Sequence, residues 1–404
     1  MMTIKTPSGP LTGLKVFDLT RVLAGPTCVQ MLADMGADVI KIEKPGSGDD
    51  TRGFAPPFMP GTSESAYFSG VNRNKRSVAL DIATPEGQEI ARKLLLQCDI
   101  LVENFKVGAL AKYGLGYEDV HKIHPGMVYC SITGFGQTGP YAPRPGYDGL
   151  IQAMGGIMSL TGDPDGEPQK VGVPVADVFA GLYGCIGVLA ALRHKERTGL
   201  GQQVDIGMLD THVAWLANQG MNYLATGVSP VRLGNNHPNI VPYQVFATAD
   251  GYIVLSIGND PTFAKFCNNF GAEALLADER FITNAARVMN RQLVTETLAV
   301  IMKTKTTADW IEQLEALKIG CGPINNLEQV FADPHVKARN NLIQMEHASG
   351  TTMTLVANPV RLSETPADYR LPPPVLGQHT KEVLESWLGL DEAALSALKA
   401  KNVI

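Results

Sequence analysis

Charge and cysteine are both in short supply, and each shortage narrows what the chain can be. Charged residues make up 18% of it, no long basic run occurs and the net charge is -6, so neither nucleic acid nor an anionic membrane surface is an expected general partner. Six cysteines, Cys28, Cys98, Cys130, Cys185, Cys267 and Cys321, are scattered without a CxxC pair. That pattern argues against zinc or a disulfide framework and suits reduced core thiols, so no metal is expected. No stretch offers about 18 uninterrupted apolar residues, and residues Met1–Leu11 lack the apolar run and small-residue cleavage pattern of a signal peptide. A cytoplasmic protein without a membrane partner is the expectation.

What is present is ordinary globular material, 45% apolar over 404 residues. That length exceeds the size at which one core usually stops growing, so two domains are expected. Lys15–Leu19 reads as a strand, Cys28–Met35 as a helix ended by Gly36, and Asp38–Ile42 as a second strand. Ser77–Asp81 follows as a strand, then a helix with Thr84 as N-cap and Pro85 at its first position, running to Gln97. Strands at Asp99–Glu103 and Met127–Ile132 flank a helix at Tyr117–Ile123. Such alternation predicts an α/β fold with a Rossmann-like parallel sheet.

From Asp177 to Arg197 a Gly/Ala-rich segment with basic residues in its last turns reads as a buried, closely packed helix, and Val204–Asp210 as a strand or helix closing the layer. Residues 1–226 are thus the large domain. Residues 227–242, rich in proline and asparagine, form a linker. A smaller α+β domain, 243–326, opens with a hairpin around Asp250-Gly251, continues through helices at Pro261–Phe270, Arg291–Met302 and Thr307–Leu317, and turns at Cys321–Asn326. Residues 327–375 read as a return linker with a hairpin near Gly350.

Common catalytic signatures are missing. The turn after the first strand reads TRVLAGP instead of GxGxxG, and neither a P-loop, GxSxG nor HExxH occurs. Chemistry must therefore rest on carboxylates. Asp177 stands at the predicted start of the Gly/Ala-rich helix, where backbone N–H groups and the helix dipole favour an ionised acid. A carboxylate there either caps the helix or acts as a covalent nucleophile on a thioester.

Several stretches in one order favour the second role. They are PLTGLKVFDLTRVLAGP (Pro10–Pro26), GADVIKIEKPGSGDDTR (Gly36–Arg52), NRNKRSVALD (Asn72–Asp81), VENF (Val102–Phe105), SITGFGQTGPY (Ser131–Tyr141), GYDG (Gly146–Gly149), ADVFAGLYG (Ala176–Gly184) and LGQHT (Leu376–Thr380). Together they resemble the class III (CaiB/BaiF) CoA-transferase family over nearly the whole chain. GNNHPNIVPYQVF (Gly234–Phe246), CGPINN (Cys321–Asn326) and PPPVLGQHT (Pro372–Thr380) are most similar to its glutarate branch, which implies succinyl-CoA as donor and a short dicarboxylic acid as acceptor.

The resemblance implies that Asp177 is the nucleophile. It also implies that Leu23, Ala24, Lys44, Leu80, Asp81, Asn104, Phe105, Lys106 and Lys112 surround CoA, with Tyr147 near the thioester. CoA and acyl-CoA are then substrates, and no cofactor is bound permanently. Cations suit CoA's phosphates and an apolar wall its adenine, although a lone lysine is also commonly solvated and Phe105 could be a core aromatic. The glycine run of the small-domain loop in some members is absent, and GNNHPN stands there, with Asn236 and His237 as substrate contacts. The implied architecture is an interlocked, ring-shaped homodimer in which residues 376–404 complete the large domain. Two alternatives are a racemase of the α-methylacyl-CoA type and a non-catalytic CoA-binding protein. The first uses histidine in a GHD triplet where this chain has Gly146-Tyr147-Asp148, and tyrosine is a poor base; the second has no need of Asp177.

Overall fold

Strand residues that alternate between two apolar faces build a parallel sheet in the computed structural model, which describes residues 8–404. The strands are β1 (Lys15–Asp18), β2 (Asp38–Glu43), β3 (Lys75–Ala79), β4 (Ile100–Glu103), β5 (Val128–Thr133) and β6 (Gln203–Gly207). Their order is β3-β2-β1-β4-β5-β6 with every neighbouring pair parallel, the strand order of a doubly wound nucleotide-binding fold. Val16, Ile100, Val102, Val128 and Cys130 pack on one face, and Phe17, Leu101 and Tyr129 on the other. Both faces are covered, as a parallel sheet requires.

One face is covered by α1 (Ala24–Asp34) and, later in the chain, by the long Gly/Ala-rich helix. On the other lie α2 (Pro85–Leu95), α3 (Tyr117–Ile123) and the C-terminal helices Thr380–Leu388 and Glu392–Ala400. Thr84 caps α2 as its sequence predicts, its hydroxyl accepting the Gly87 N–H at 3.1 Å. α1 begins earlier than its apolar pattern indicates, because Pro26 sits in its first turn, where a missing N–H costs no helical bond. Next come α4 (Asp148–Met154), α5 (Val175–Thr198) and α6 (Met208–Ala214), which follows β6 directly and resolves the ambiguous 204–210 segment into a strand and then a helix.

By length and composition α5 is the one helix among the described residues that passes for a membrane span, yet half of its apolar window is buried in the fold. Its close fit against α1 depends on Gly181. A Cβ there would lie 2.6 Å from the Ala24 carbonyl oxygen and 2.9 Å from the Thr27 Cβ.

The described chain divides into two compact units, and residues 157–169 and 217–337 form the smaller. It holds an antiparallel sheet of β7 (Tyr243–Ala247), β8 (Tyr252–Ser256) and β9 (Gly320–Pro323). Cys321–Asn326, expected to be a turn, instead begins inside β9, whose proline falls at the end of an edge strand where no ladder donor is lost. The helices α7 (Asp260–Asn269), α8 (Arg291–Met302) and α9 (Thr307–Ala316) close its core around Trp310 and Phe266. Residues 327–375, read as a return linker, carry two short helices and the hairpin β10 (Leu342–Glu346) and β11 (Thr352–Val356). After the hairpin, Asn358 donates to the buried Asp34 at 3.2 Å, and Arg73 pairs with the same carboxylate at 2.6 Å.

Replacing Gly181 with Leu would drive a side chain into the α1 backbone. Overpacking of this kind costs about 1–3 kcal/mol, so urea unfolding should show a lowered midpoint with an unchanged slope.

Candidate active site

In an open parallel sheet, ligands bind where the strand order reverses, at the carboxyl ends of the strands. Here that point lies between β1 and β4. The loop leaving β1 is held through its backbone. The Thr20 N–H and hydroxyl donate to Asp18 at 2.8 and 2.6 Å, and the Thr20 carbonyl accepts from Lys41 Nζ at 2.7 Å. Val22 has φ +70°, a left-handed conformation costly for a β-branched residue, and its N–H is held by Asp49 at 3.2 Å. Asp49 in turn pairs with Lys41 at 2.9 Å, both without solvent exposure. Burial opposes the charge on Asp49, but Lys41 and the Thr51 N–H outweigh it and push the carboxyl down to about 2. From the neighbouring loop Asn104 donates to the Arg21 carbonyl at 2.6 Å and accepts its N–H at 2.9 Å. The buried Glu103 accepts the Phe105 N–H at 2.8 Å, and burial pushes that acid up to about 7.

Asp177 lies in the first turn of α5 but does not cap it. No hydrogen bond to its side chain occurs among the described residues, and the Ala176 N–H is taken instead by Asp148 Oδ1 at 2.9 Å. Asp148 Oδ2 accepts from the fully buried Gln152 at 2.8 Å, and Gln152 Oε1 accepts the Val171 N–H at 2.8 Å. This chain of contacts fixes the segment that leads into Asp177, a role that helix periodicity in the sequence does not reveal. The expectation of a simply ionised acid needs correction: burial first, then the negative charge of Asp148, push Asp177 up to about 7. Because the folded chain holds this proton more tightly than the unfolded one, the site loses stability as pH rises from 3.8 towards 7.

A cleft of about 220 Å³ brings together Leu23, Ala24, Asn104, Phe105, Lys106, Tyr147 and Asp177. Gly134 and Gly146 let its two loops touch, since a Cβ on Gly146 would lie 2.2 Å from the Gly134 Cα. A second cleft, about 410 Å³, is lined by Lys44, Leu80 and Asp81 and shares Phe105, Arg21 and Asp50 with the first. Lys112 lines neither; its ammonium lies 4.6 Å from the ring of Tyr113, which lines the larger cleft. Asn236 and His237 belong to the smaller unit.

Sequence reading missed two residues of these clefts. Arg21 lies over the Phe105 ring at 4.8 Å and 3.5 Å from Asp50, where the two clefts adjoin. Thr133, at the end of β5, presents a buried hydroxyl that has no hydrogen-bond partner among the described residues. The stretch Gly134–Gly139 has GxGxxG spacing, but it follows β5 and leads into turns in place of a helix, so it is not a dinucleotide loop.

Residues 11–380 match the sequence profile of CoA-transferase family III. The chain belongs to that family. A succinate–glutarate CoA-transferase of Agrobacterium fabrum is 48% identical over 93% of this chain and 95% of its own length. The human succinyl-CoA:glutarate CoA-transferase is 42% identical over 98% of this chain and 90% of its own. Among solved structures, a CaiB/BaiF family protein from Brucella suis superposes with a TM-score of 0.83 at 46% identity, over 94% of this chain and all of that one. Rv3272 from M. tuberculosis does so with the same TM-score at 32% identity, over 93% and 99%. This family III member is therefore an enzyme, a CoA-transferase, and CoA thioesters and carboxylates are its kinds of substrate.

In this CoA-transferase the Asp177 carboxyl, followed by infrared spectroscopy of protein labelled with ¹³C-carboxyl aspartate, should titrate near 7. Asp148→Asn removes a neighbouring negative charge, makes ionisation easier and should move that midpoint down. An unmoved midpoint would mean that Asp148 acts only as a tether.

Proposed function

We propose that this enzyme moves CoA from succinyl-CoA to a short dicarboxylic acid such as glutarate, with Asp177 as the covalent carrier. The observation that carries the reading is a half-buried carboxyl, without a hydrogen bond among the described residues, in a cleft with Leu23, Ala24, Asn104 and Tyr147. An aspartate kept for structure would be paired or capping. The choice of acids follows the names of the relatives from Agrobacterium fabrum, mouse and human.

An Asp177 oxygen attacks the succinyl thioester carbonyl. The carbon–sulfur bond breaks, leaving a mixed anhydride and CoA thiolate. The thiolate then attacks the aspartyl carbonyl, releases succinate and leaves an aspartyl-CoA thioester. Glutarate attacks that thioester, freeing CoA thiolate and forming a second anhydride, and the thiolate attacks its glutaryl carbonyl to give glutaryl-CoA and regenerate Asp177. Each tetrahedral intermediate needs a donor for its oxyanion, a kind of contact whose loss typically costs about 100-fold or more. Thr133, whose buried hydroxyl has no hydrogen-bond partner among the described residues, lines the same cleft and is assigned that role.

Lys44, Lys106 and Lys112 serve the phosphates of CoA, with Leu80 and Asp81 beside them and Phe105 as the wall for adenine. Placement of Lys44 and Phe105 along adjoining clefts supports this assignment. The functional molecule is an interlocked homodimer, a reading supported by apolar side chains left open to solvent, among them Ile186 at 61% exposure on α5 and Leu224 at 73% in the smaller unit.

Asp177→Ala should abolish succinyl-CoA-dependent transfer to glutarate while the fold survives. Hydroxylamine added with donor alone should convert Asp177 of the wild type to a hydroxamate, located by peptide mass spectrometry. A label on another residue would move the nucleophile, and exchange of the α-proton with solvent in place of transfer would favour the racemase. The acylation rate should rise with pH and level off above about 7, since only the ionised acid attacks. Thr133→Val should lower turnover by about 100-fold or more, with Thr133→Ser largely restoring it.

A further inference from the structure

Three cations line the cleft that holds Asp177: Arg21, Lys106 and Arg144. Two of them are engaged elsewhere. Arg21 stands 3.5 Å from Asp50 and lies over the Phe105 ring, and Lys106 is given above to the phosphates of CoA. Arg144, in the loop between β5 and α4, is exposed and pairs with no carboxylate among the described residues. Among those residues its one polar side-chain contact is long, Nη2 to the Met154 sulfur at 4.0 Å.

The loop nevertheless holds the guanidinium in one place. Its carbon lies 4.6 Å from the centre of the Tyr141 ring and 5.3 Å from that of Phe135, and the two rings meet edge to face at 5.6 Å. Phe135 is buried, so this platform is anchored in the fold. A turn brings the Arg144 N–H to the Tyr141 carbonyl at 2.9 Å. Beyond it, Gly146 is pressed against Gly134, and Asp148 holds the Ala176 N–H beside Asp177. Arg144 and the reacting acid therefore share one set of supports within one compact unit. A guanidinium resting on aromatic rings keeps N–H groups free for a planar acceptor.

The chemistry of a dicarboxylic acid calls for such a group. One carboxylate goes to the reacting aspartyl centre, and the other enters a cleft whose own functional group is an acid, where it needs a positive partner. A cation paired with Asp177 would favour its ionised form, whereas burial and Asp148 push that acid up to about 7. The partner must therefore stand in the cleft without pairing with Asp177, as Arg144 does.

We propose that Arg144 binds the far carboxylate of the dicarboxylic acid, and the matching free carboxylate of its CoA ester, and so selects diacids over monoacids. Its planar fork of N–H donors fits a carboxylate edge on. The placement rests on the cleft and the unpaired guanidinium; the choice of a diacid rests on the function proposed above.

Titration calorimetry on the full-length enzyme with glutarate, butyrate and CoA, alongside steady-state transfer from succinyl-CoA, tests it. Arg144→Gln should weaken glutarate binding and raise its KM by about 10–100-fold, the loss expected for a charge-assisted hydrogen bond. Butyrate, which has no far carboxylate, should bind the variant as it binds the wild type, and CoA should bind both equally. Arg144→Lys, which keeps the charge without the planar fork, should restore part of the loss. Tyr141→Leu, which removes one ring of the platform, should weaken glutarate less than Arg144→Gln does. Unchanged glutarate affinity and KM in Arg144→Gln overturn the proposal. So does an equal loss for butyrate, which would make Arg144 a support of the cleft, or a loss confined to CoA, which would assign it to a phosphate. Glutarate bound through Arg144 without CoA transfer to it would keep the site and remove the dicarboxylate function. Normal transfer with an indifferent Arg144 would do the reverse.

Discussion

The ion pair between Lys41 and Asp49, sealed from solvent at 2.9 Å, sets the shape of everything near the carboxyl ends of β1 and β4. Each partner also holds the loop after β1: Lys41 donates to the Thr20 carbonyl, and Asp49 accepts the Val22 N–H as well as the Thr51 N–H and hydroxyl. A valine at positive φ persists only where its surroundings overdetermine it, and these two bonds do so. Removing one partner of such a buried pair costs about 3–5 kcal/mol because the other is left as an isolated charge. The network explains why a loop that lacks a glycine fingerprint still presents its backbone in one fixed form.

A second constraint acts from the opposite side of the cleft. Helix α5 carries Asp177, and its approach to α1 is set by a residue without a side chain, Gly181, against the Ala24 carbonyl. Leu23 and Ala24 thus reach Asp177 through direct packing of one helix start on another. The N-terminal turn of α5 is fixed by a carboxylate on α4, Asp148, which accepts the Ala176 N–H. One aspartate is thus anchored, and the other carries no hydrogen bond among the described residues.

The parallel sheet was legible because its strands are short apolar runs between helical stretches, and the structure moves their ends by only a residue or two. The N-terminus of α1 was hidden by Pro26, and β9 by a glycine and proline composition that usually marks a turn. Motifs in a fixed order pointed to Asp177 and to the residues around it. They carried no information on protonation, which depends on burial and on Asp148, a neighbour nearly 30 residues away in the chain. Thr133 and Arg21 escaped for a similar reason. A threonine ending a strand and an arginine in polar surroundings are ordinary in sequence, and only the absence or presence of spatial partners sets them apart.

The proton affinity of Asp177 has a wider meaning than its titration. An environment that resists a negative charge favours any bond that cancels it, and an acyl or thioester linkage cancels it as fully as a proton does. In the cycle proposed for Asp177 the resting enzyme is then the poorly solvated partner, and the loaded enzyme the comfortable one. Water that cut the proposed linkage would restore the unwelcome anion, so the same burial would also shelter the cargo from being lost.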